Sequence, residues 1–212
     1  MIAQRTEAWF QQRCGAFTAS RAADLMAKTK SGPSTSRANL IALLAVERLT
    51  GQPVETYQNA AMSRGNELEA QAREAYAFAN DVIVEECGYI QHPTIANCGC
   101  SPDGLIGAEG LIEIKCPSAM AKHLAALRSG EHAREYRWQL QHQLFVTRRQ
   151  WVYAVSYDPR FPAHLQLATV RVVPDPDTCE ALAAEIHAAE KEVCAILEEL
   201  RGTQRQPIGE AA

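Results

Sequence analysis

Asp103, Glu113 and Lys115 lie in one short stretch and have the types and spacing to do chemistry. Residues 98–117 read as a β-hairpin that turns at Gly107-Ala108-Glu109-Gly110, where glycine can take positive φ. Side chains alternate along a strand, so within 111–115 Glu113 and Lys115 point to one face. Ile112 and Ile114 point to the other, toward a core. Folding the hairpin sets Asp103 roughly opposite Glu113. Two adjacent carboxylates repel and raise each other's pKa unless a cation lies between them. Such oxygen ligands suit Mg2+ or Mn2+. A lysine beside the ion can orient or deprotonate a water, or hold charge developing on phosphorus. D-x9-E-x-K is thus the arrangement of a metal-dependent phosphodiesterase. E-x-K alone is ordinarily a solvated strand face with a Glu–Lys contact. The lead-in Ser101-Pro102-Asp103-Gly104, the glycine turn and the apolar opposite face weigh toward a site.

These residues, with Glu113-Ile114-Lys115-Cys116-Pro117 read as one block, resemble the PD-(D/E)xK nuclease superfamily. Within it the match narrows to the YqaJ-like viral recombinase family, which includes the phage lambda-type exonucleases. Further blocks resemble that family in its own order over residues 7–160. They are Trp9-x3-Arg13-x4-Thr18-Ala19-Ser20, Arg64-Gly65-x3-Glu69, Tyr136-x2-Gln139-x-Gln141, Val146-Thr147-Arg148 and Tyr157-Asp158-Pro159-Arg160. The resemblance implies an α/β nuclease fold with a central mixed β-sheet flanked by α-helices. It implies a deoxyribonuclease that uses Mg2+, with Mn2+ able to substitute, and two ions. Such an enzyme digests one strand of linear double-stranded DNA from its 5′ end, leaving 3′ overhangs for recombination by strand annealing. By the same resemblance Asp103, Glu113, the backbone carbonyl of Ile114 and Glu69 hold the metal. Lys115 positions or activates the attacking water, and Gln139 assists. Arg13, Ser20 and Ser101 hold the terminal 5′-phosphate. The lambda-type members also imply a toroidal homotrimer and a single-strand annealing protein as partner. A catalytically idle DNA-end-binding protein and an endonuclease are the alternatives on the same core.

Several elements must position these residues. A helix over 6–12 with Thr6 as cap precedes Arg13, and Thr18 or Ser20 caps a second helix reaching Ala27. The stretch 28–37, with Lys28, Lys30 and Arg37 and no acid, reads either as a mobile surface loop or as an arm over DNA. A helix over 39–50 turns Leu40, Leu43, Leu44 and Val46 inward and stops at Gly51. Another over 62–79 carries Glu67 and Glu69 in its early turns. Strands are expected over 82–90, 151–157 and 165–173. His92 reads as an ordinary loop residue. A helix over 118–129 offers Met120, Leu124 and Leu127 to the core. One over 136–147 places Tyr136, Gln139 and Gln143 on one face. Arg148, Arg149 and Arg160 line a DNA path or form surface ion pairs. Asp175 and its neighbours cap a last helix to about 201, with Leu182, Ile186, Ala189, Val193, Ile196 and Leu200 at helical spacing.

The 212 residues, 47% hydrophobic, suffice for one domain over 1–201, with a disordered tail over 202–212. No apolar run is long enough to span a membrane and the N-terminus lacks a signal-peptide core, so a cytoplasmic protein is expected. The seven cysteines read as free thiols. Cys98, Cys100 and Cys116 lack a fourth ligand for a soft-metal site. The net charge of −4 argues against a protein that coats DNA nonspecifically, and is compatible with an enzyme whose basic residues gather on one surface.

Overall fold

The computed structural model describes residues 2–30, 32–54 and 60–203. The tail beyond 203, Ser31 and residues 55–59 of the proline-containing connection lie outside the described residues. Helix α1 (Glu7–Arg13) begins at Thr6, whose hydroxyl accepts from the Trp9 N–H at 3.3 Å. Strand β1 (Phe17–Thr18) leads through a 3-10 turn (Ala19–Arg21) into α2 (Ala22–Met26). Strands β2 (Lys28–Thr29) and β3 (Gly32–Pro33) form a small antiparallel ribbon. Helix α3 (Thr35–Thr50) is capped by Ser34 and ended by Gly51 at φ +66°. Then follow α4 (Ala60–Asn80), β4 (Ile90–Gln91), β5 (Cys98–Cys100), β6 (Gly104–Ile106) and β7 (Gly110–Lys115). The chain closes with α5 (Met120–Ser129), α6 (Glu131–Glu135), α7 (Arg137–Thr147), β8 (Trp151–Tyr157), β9 (Leu167–Val172) and α8 (Pro176–Thr203).

The class is α/β, as expected, but the single central sheet is divided into two mixed sheets. One has the order β1-β5-β4 and the other β6-β7-β8-β9. The division falls at Ser101-Pro102-Asp103, so 98–106 is not one continuous strand. Pro102 has no N–H to offer a ladder, and the Asp103 N–H donates to the Ile112 carbonyl at 3.1 Å as the chain enters the second sheet. Strands β7 and β8 run parallel, and α5, α6 and α7 make the crossover that parallel pairing requires. The expected strand over 82–90 is reduced to β4 and an isolated bridge between Glu85 and Leu105. At the hairpin turn Gly107 has φ +54°. Gly110 serves packing instead, because a Cβ there would lie 2.0 Å from the Trp151 ring.

Among the described residues three apolar clusters hold the layers together. Helices α2, α3 and α8 bury Leu25, Leu40, Leu44, Leu182, Ile186 and Val193 with Phe17. Ala72 and Tyr76 of α4 cover Ile112, Ile114, Val155 and Tyr157. Leu140 and Leu144 of α7 cover Leu111, Val152 and Ala154 on the opposite face. The inward faces of three helices differ from the sequence reading. Val46 and Leu200 are exposed, while Ile41 and Ala45 are buried. On α5, Met120 and Leu124 are exposed and His123 points inward. Its Nδ1 lies 2.9 Å from Ser156 Oγ and its Nε2 2.8 Å from the Leu165 carbonyl, so both ring nitrogens are satisfied and the register turns about that residue.

Arg37 corrects the reading of a basic arm. It lies in α3, only 5% exposed, and donates to Glu185 at 2.6 Å and to Glu192 at 2.7 and 3.1 Å. Removing one member of a buried pair leaves the other's charge without compensation. Arg37→Ala should therefore destabilise the fold by about 2–3 kcal/mol, below the full buried-pair cost because its partners retain some water. Urea unfolding measures this, and the salt dependence of DNA binding should not change.

Candidate active site

The hairpin register delivers the first pair. Gly104 faces Ile112, which places Asp103 opposite Glu113 one residue further along. Asp103 Oδ2 accepts from the Ile114 N–H at 2.6 Å. Burial, then the charges of Glu113 and Glu69, push the Asp103 carboxyl well above the usual range, and Lys115 and the Ile114 N–H offset only part of this. Glu113 is 3% exposed. Its Oε1 accepts from Lys115 Nζ at 2.7 Å and Gln139 Nε2 at 2.5 Å, and its Oε2 from Gln143 Nε2 at 2.5 Å. The Lys115 ammonium also lies 4.7 Å from the centre of the Tyr136 ring. Burial pulls the pKa of Lys115 down, but Glu113 and Asp103 outweigh it, and the net direction is up.

Helix α7 roofs the face carrying Glu113, and its glutamines reach down to the carboxylate. Gln139 was expected here. Gln143 was not named as a site residue, though its i, i+4 spacing from Gln139 was the signal for it. Glu69 arrives from α4, the helix on the isoleucine face. It accepts from Arg73 Nη2 at 3.0 Å and from Arg5. Arg73 ties this cluster to the kink by donating from Nε to the Asp103 carbonyl at 2.9 Å.

A divalent cation can be tested against these groups. Asp103, Glu113 and Glu69 supply hard oxygen donors. Gln143 Oε1 is buried with no donor among the described residues, so oxygen acceptors here exceed the protons offered to them. That donor set fits Mg2+ or Mn2+. Glu113 and Glu69 are turned to Lys115, the glutamines and the arginines. Among the described residues no three side chains are drawn into a ligand group, so metal binding requires those carboxylates to turn. All seven cysteines are free thiols, and burial pushes the Cys98 thiol up to about 12, which suits an inert core residue.

The second group forms on the other side of Pro102. Arg13 Nη1 donates to Ser101 Oγ at 3.0 Å and Nη2 to Ser20 Oγ at 3.3 Å. Trp9 Nε1 also donates to Ser101 Oγ at 3.0 Å, and the Arg13 guanidinium lies 4.2 Å from the Trp9 ring centre. Ser20 is therefore not a helix cap. It lies in the 3-10 turn with its hydroxyl 3.3 Å from Thr18 Oγ1. Burial holds the Arg13 pKa below its ordinary value, and the guanidinium pairs with no carboxylate among the described residues. A half-enclosed cation beside two hydroxyls has the donors that a phosphate would need.

The YqaJ-like viral recombinase domain model matches residues 8–150. The chain belongs to the YqaJ-like viral recombinase family. The matched span holds every residue of both clusters except Arg5. Crystal structures of LHK-Exo, an alkaline exonuclease from Laribacter hongkongensis, one of them with dAMP, superpose with TM-score 0.85 at 44% identity, over 94% of this chain and 98% of that one. A phage-related exonuclease from Haemophilus somnus 129PT shares the fold, with TM-score 0.73 at 14% identity over 87% and 96% of the two chains. Comparison with curated proteins gave no match. Among the described residues no helix is long and apolar enough to cross a membrane.

Beyond the family span, Asp158 organises the end of β7. It is fully buried, and accepts from Arg160 Nε at 2.8 Å and Nη2 at 2.6 Å, with Arg64 Nη2 at 3.7 Å. Arg160 then donates to the Ser118 carbonyl at 3.0 Å and Arg64 to that of Pro117 at 3.0 Å. Of the two readings left open for Arg160, the ion pair is the one found. Arg149 likewise donates to the Gly107 and Gly110 carbonyls, at 2.8 and 2.7 Å, while Arg148 is exposed. His92 is buried, its Nδ1 accepting from the Ile95 N–H at 3.0 Å. Hydrogen bonds from Arg160 hold the Asp158 carboxyl below its ordinary value of 3.8. A depressed carboxyl contributes stability above its unfolded pKa and loses it as pH falls through the folded one. Asp158→Asn should lower Tm at pH 7 by roughly 5 °C. It should also flatten the acid limb of a Tm–pH curve below pH 3.8.

Proposed function

We propose that this chain is a Mg2+-dependent exodeoxyribonuclease that digests one strand of linear double-stranded DNA from the 5′ end. The product is a 3′ single-stranded overhang for annealing-based recombination. The observation that carries this is the placement of two groups on either side of Pro102. Ser101 with Arg13 and Ser20 forms a phosphate receptor, and Asp103 with Glu113 and Lys115 forms a charged cleavage group. Ser101 and Asp103 are two residue steps apart along the chain, at most about 7 Å, the scale of a single nucleotide. A terminal phosphate held by the first group would bring the next phosphodiester to the second, and a mononucleotide would leave. The dAMP bound to LHK-Exo is a nucleotide of that kind.

Asp103, Glu113, the Ile114 carbonyl and Glu69 would hold two Mg2+ ions, or Mn2+ in their place. The metal supplies Lewis acidity to the phosphoryl oxygens and the leaving oxygen. Lys115, kept protonated by its carboxylate neighbours, orients the attacking water and offers charge to the phosphoryl group. Gln139 and Gln143 hold the Glu113 carboxylate without adding charge. Arg13, Ser20 and Ser101 set polarity by anchoring the 5′-phosphate. Family membership supports a homotrimer and a single-strand annealing partner, and the substrate suits a protein of the cytoplasm.

Digestion of linear duplex with Mg2+ tests the reading, comparing 5′-phosphate with 5′-hydroxyl ends and adding a closed circle. Mononucleotides should be released faster from phosphorylated ends, and the circle should stay intact. Cleaved circles would indicate an endonuclease, and no digestion with either Mg2+ or Mn2+ an idle end-binder. Lys115→Ala should lower kcat by about 10²–10³, whereas Arg13→Ala should abolish the preference for phosphorylated ends. The raised Asp103 pKa has its own consequence. A carboxyl held above its unfolded value gives full stability below that value and loses it as pH rises. Asp103→Asn should therefore raise Tm at neutral pH without Mg2+ and cancel the upward shift that Mg2+ produces in the unsubstituted protein.

A further inference from the structure

The N-terminal segment lies against the acidic cluster, in a depression of about 160 Å³ lined by Gln4, Arg5, Glu69, Arg73, Glu86 and Asp103. Gln4 Nε2 tethers it, donating to the Cys87 carbonyl at 2.9 Å and the Pro102 carbonyl at 2.8 Å. Arg5 then donates to Glu69 Oε2. The two arginines on Glu69 are not equivalent. Arg73 is 14% exposed and is also held by the Asp103 carbonyl and by Glu86. Arg5 is 41% exposed and has Glu69 as its one ionic partner among the described residues. It also sits at φ +65°, a left-handed backbone position that a non-glycine residue adopts at a cost. Within the cluster, the carboxylates Asp103, Glu113, Glu69 and Glu86 exceed the cations Lys115, Arg73 and Arg5 by one. Adding a divalent cation turns that into an excess of one positive charge, and Arg5 is the side-chain cation least held.

We infer that Arg5 is a DNA-phosphate-binding residue whose guanidinium competes with the divalent cation for Glu69 and passes to the DNA backbone when the cation binds. This rests on the assignment of Glu69 to metal binding made above. A metal ion on Glu69 Oε2 would repel the Arg5 guanidinium held at the same oxygen. The Gln4 tether keeps the released Arg5 beside the site, where an incoming phosphodiester restores the charge balance. The segment thus links metal occupancy to substrate capture.

Two measurements on the full chain test it, with Arg5→Gln and Arg5→Lys beside the unsubstituted protein. Calorimetric titration with Mg2+, without DNA, should show Arg5→Gln binding about two- to fivefold more tightly, the range of an exposed ion pair. The slope of log KM for linear duplex against log salt should fall by about one in Arg5→Gln, as for one lost phosphate contact, and return in Arg5→Lys. A residue that merely supports the fold would not move the two in opposite senses, tighter for metal and weaker for DNA. Unchanged Mg2+ affinity or an unchanged salt slope in Arg5→Gln would overturn the inference, and continued digestion from 5′ ends would leave the proposed function standing. If the unsubstituted protein takes up no Mg2+, both fail together.

Discussion

Asp103 and Glu113 face each other on neighbouring strands with little water around them, and each carries a charge the other opposes. Such an arrangement persists only if donors and cations are supplied from elsewhere in the chain. The surrounding architecture supplies them. The β7 backbone gives the Ile114 N–H to Asp103, and Lys115 follows on the same strand face. Helix α7 lays two amides against Glu113, and α4 brings a glutamate with an arginine already attached. The elements that pack on the two faces of the second sheet are the ones that deliver these groups. Burying Leu140 and Leu144 on one face and Ala72 and Tyr76 on the other is therefore also what aims the site.

The break at Pro102 is the second feature on which the proposed function rests. A strand running unbroken from Cys98 to Ile106 would have kept Ser101 and Asp103 in one ladder. The kink lets β5 belong to the sheet that holds the Arg13 region, through the parallel pairing of Phe17 with Cys98, while β6 belongs to the sheet that holds Glu113. One proline-centred corner thus joins the proposed phosphate receptor to a carboxylate pair with very little chain between them. The close fit on the receptor side is visible at Gly99, where any Cβ would lie 2.3 Å from the Tyr89 ring.

Net charge is a poor guide to this molecule. Several arginines that could have marked a DNA surface are internal fasteners. Arg37 and Arg48 tie α3 to α8, Arg64 and Arg160 hold the carbonyls after β7, and Arg149 closes the hairpin turn. A cation engaged with a carboxylate or a carbonyl contributes little to a far field, so the residues proposed to meet DNA are Arg13, which pairs with no carboxylate among the described residues, and Arg5 once it is released from Glu69.

The sequence by itself determined what is local or periodic. The pairing of Asp103 with Glu113 followed from a tight turn and the two-residue period of strands. The strand at 151–157 and the buried line Leu182, Ile186, Ala189 and Val193 followed from β-rich composition and helical spacing. The family blocks named Glu69, Gln139 and the trio Arg13, Ser20 and Ser101, and the structure brings the trio into hydrogen-bond contact and sets Gln139 on Glu113. Tertiary structure alone decided which distant elements meet. Gln143 stands over Glu113 because a parallel strand pair requires a crossover, and that crossover ends in α7. Arg37 is buried because α8 presents Glu185 and Glu192 from some 150 residues away. Arg5 touches Glu69 because Gln4 finds two carbonyls at the kink. Gln143 shared a helix face with Gln139, but the Arg37 and Arg5 contacts leave no period or spacing in the chain, since the partners' separation is set by packing and not by backbone geometry.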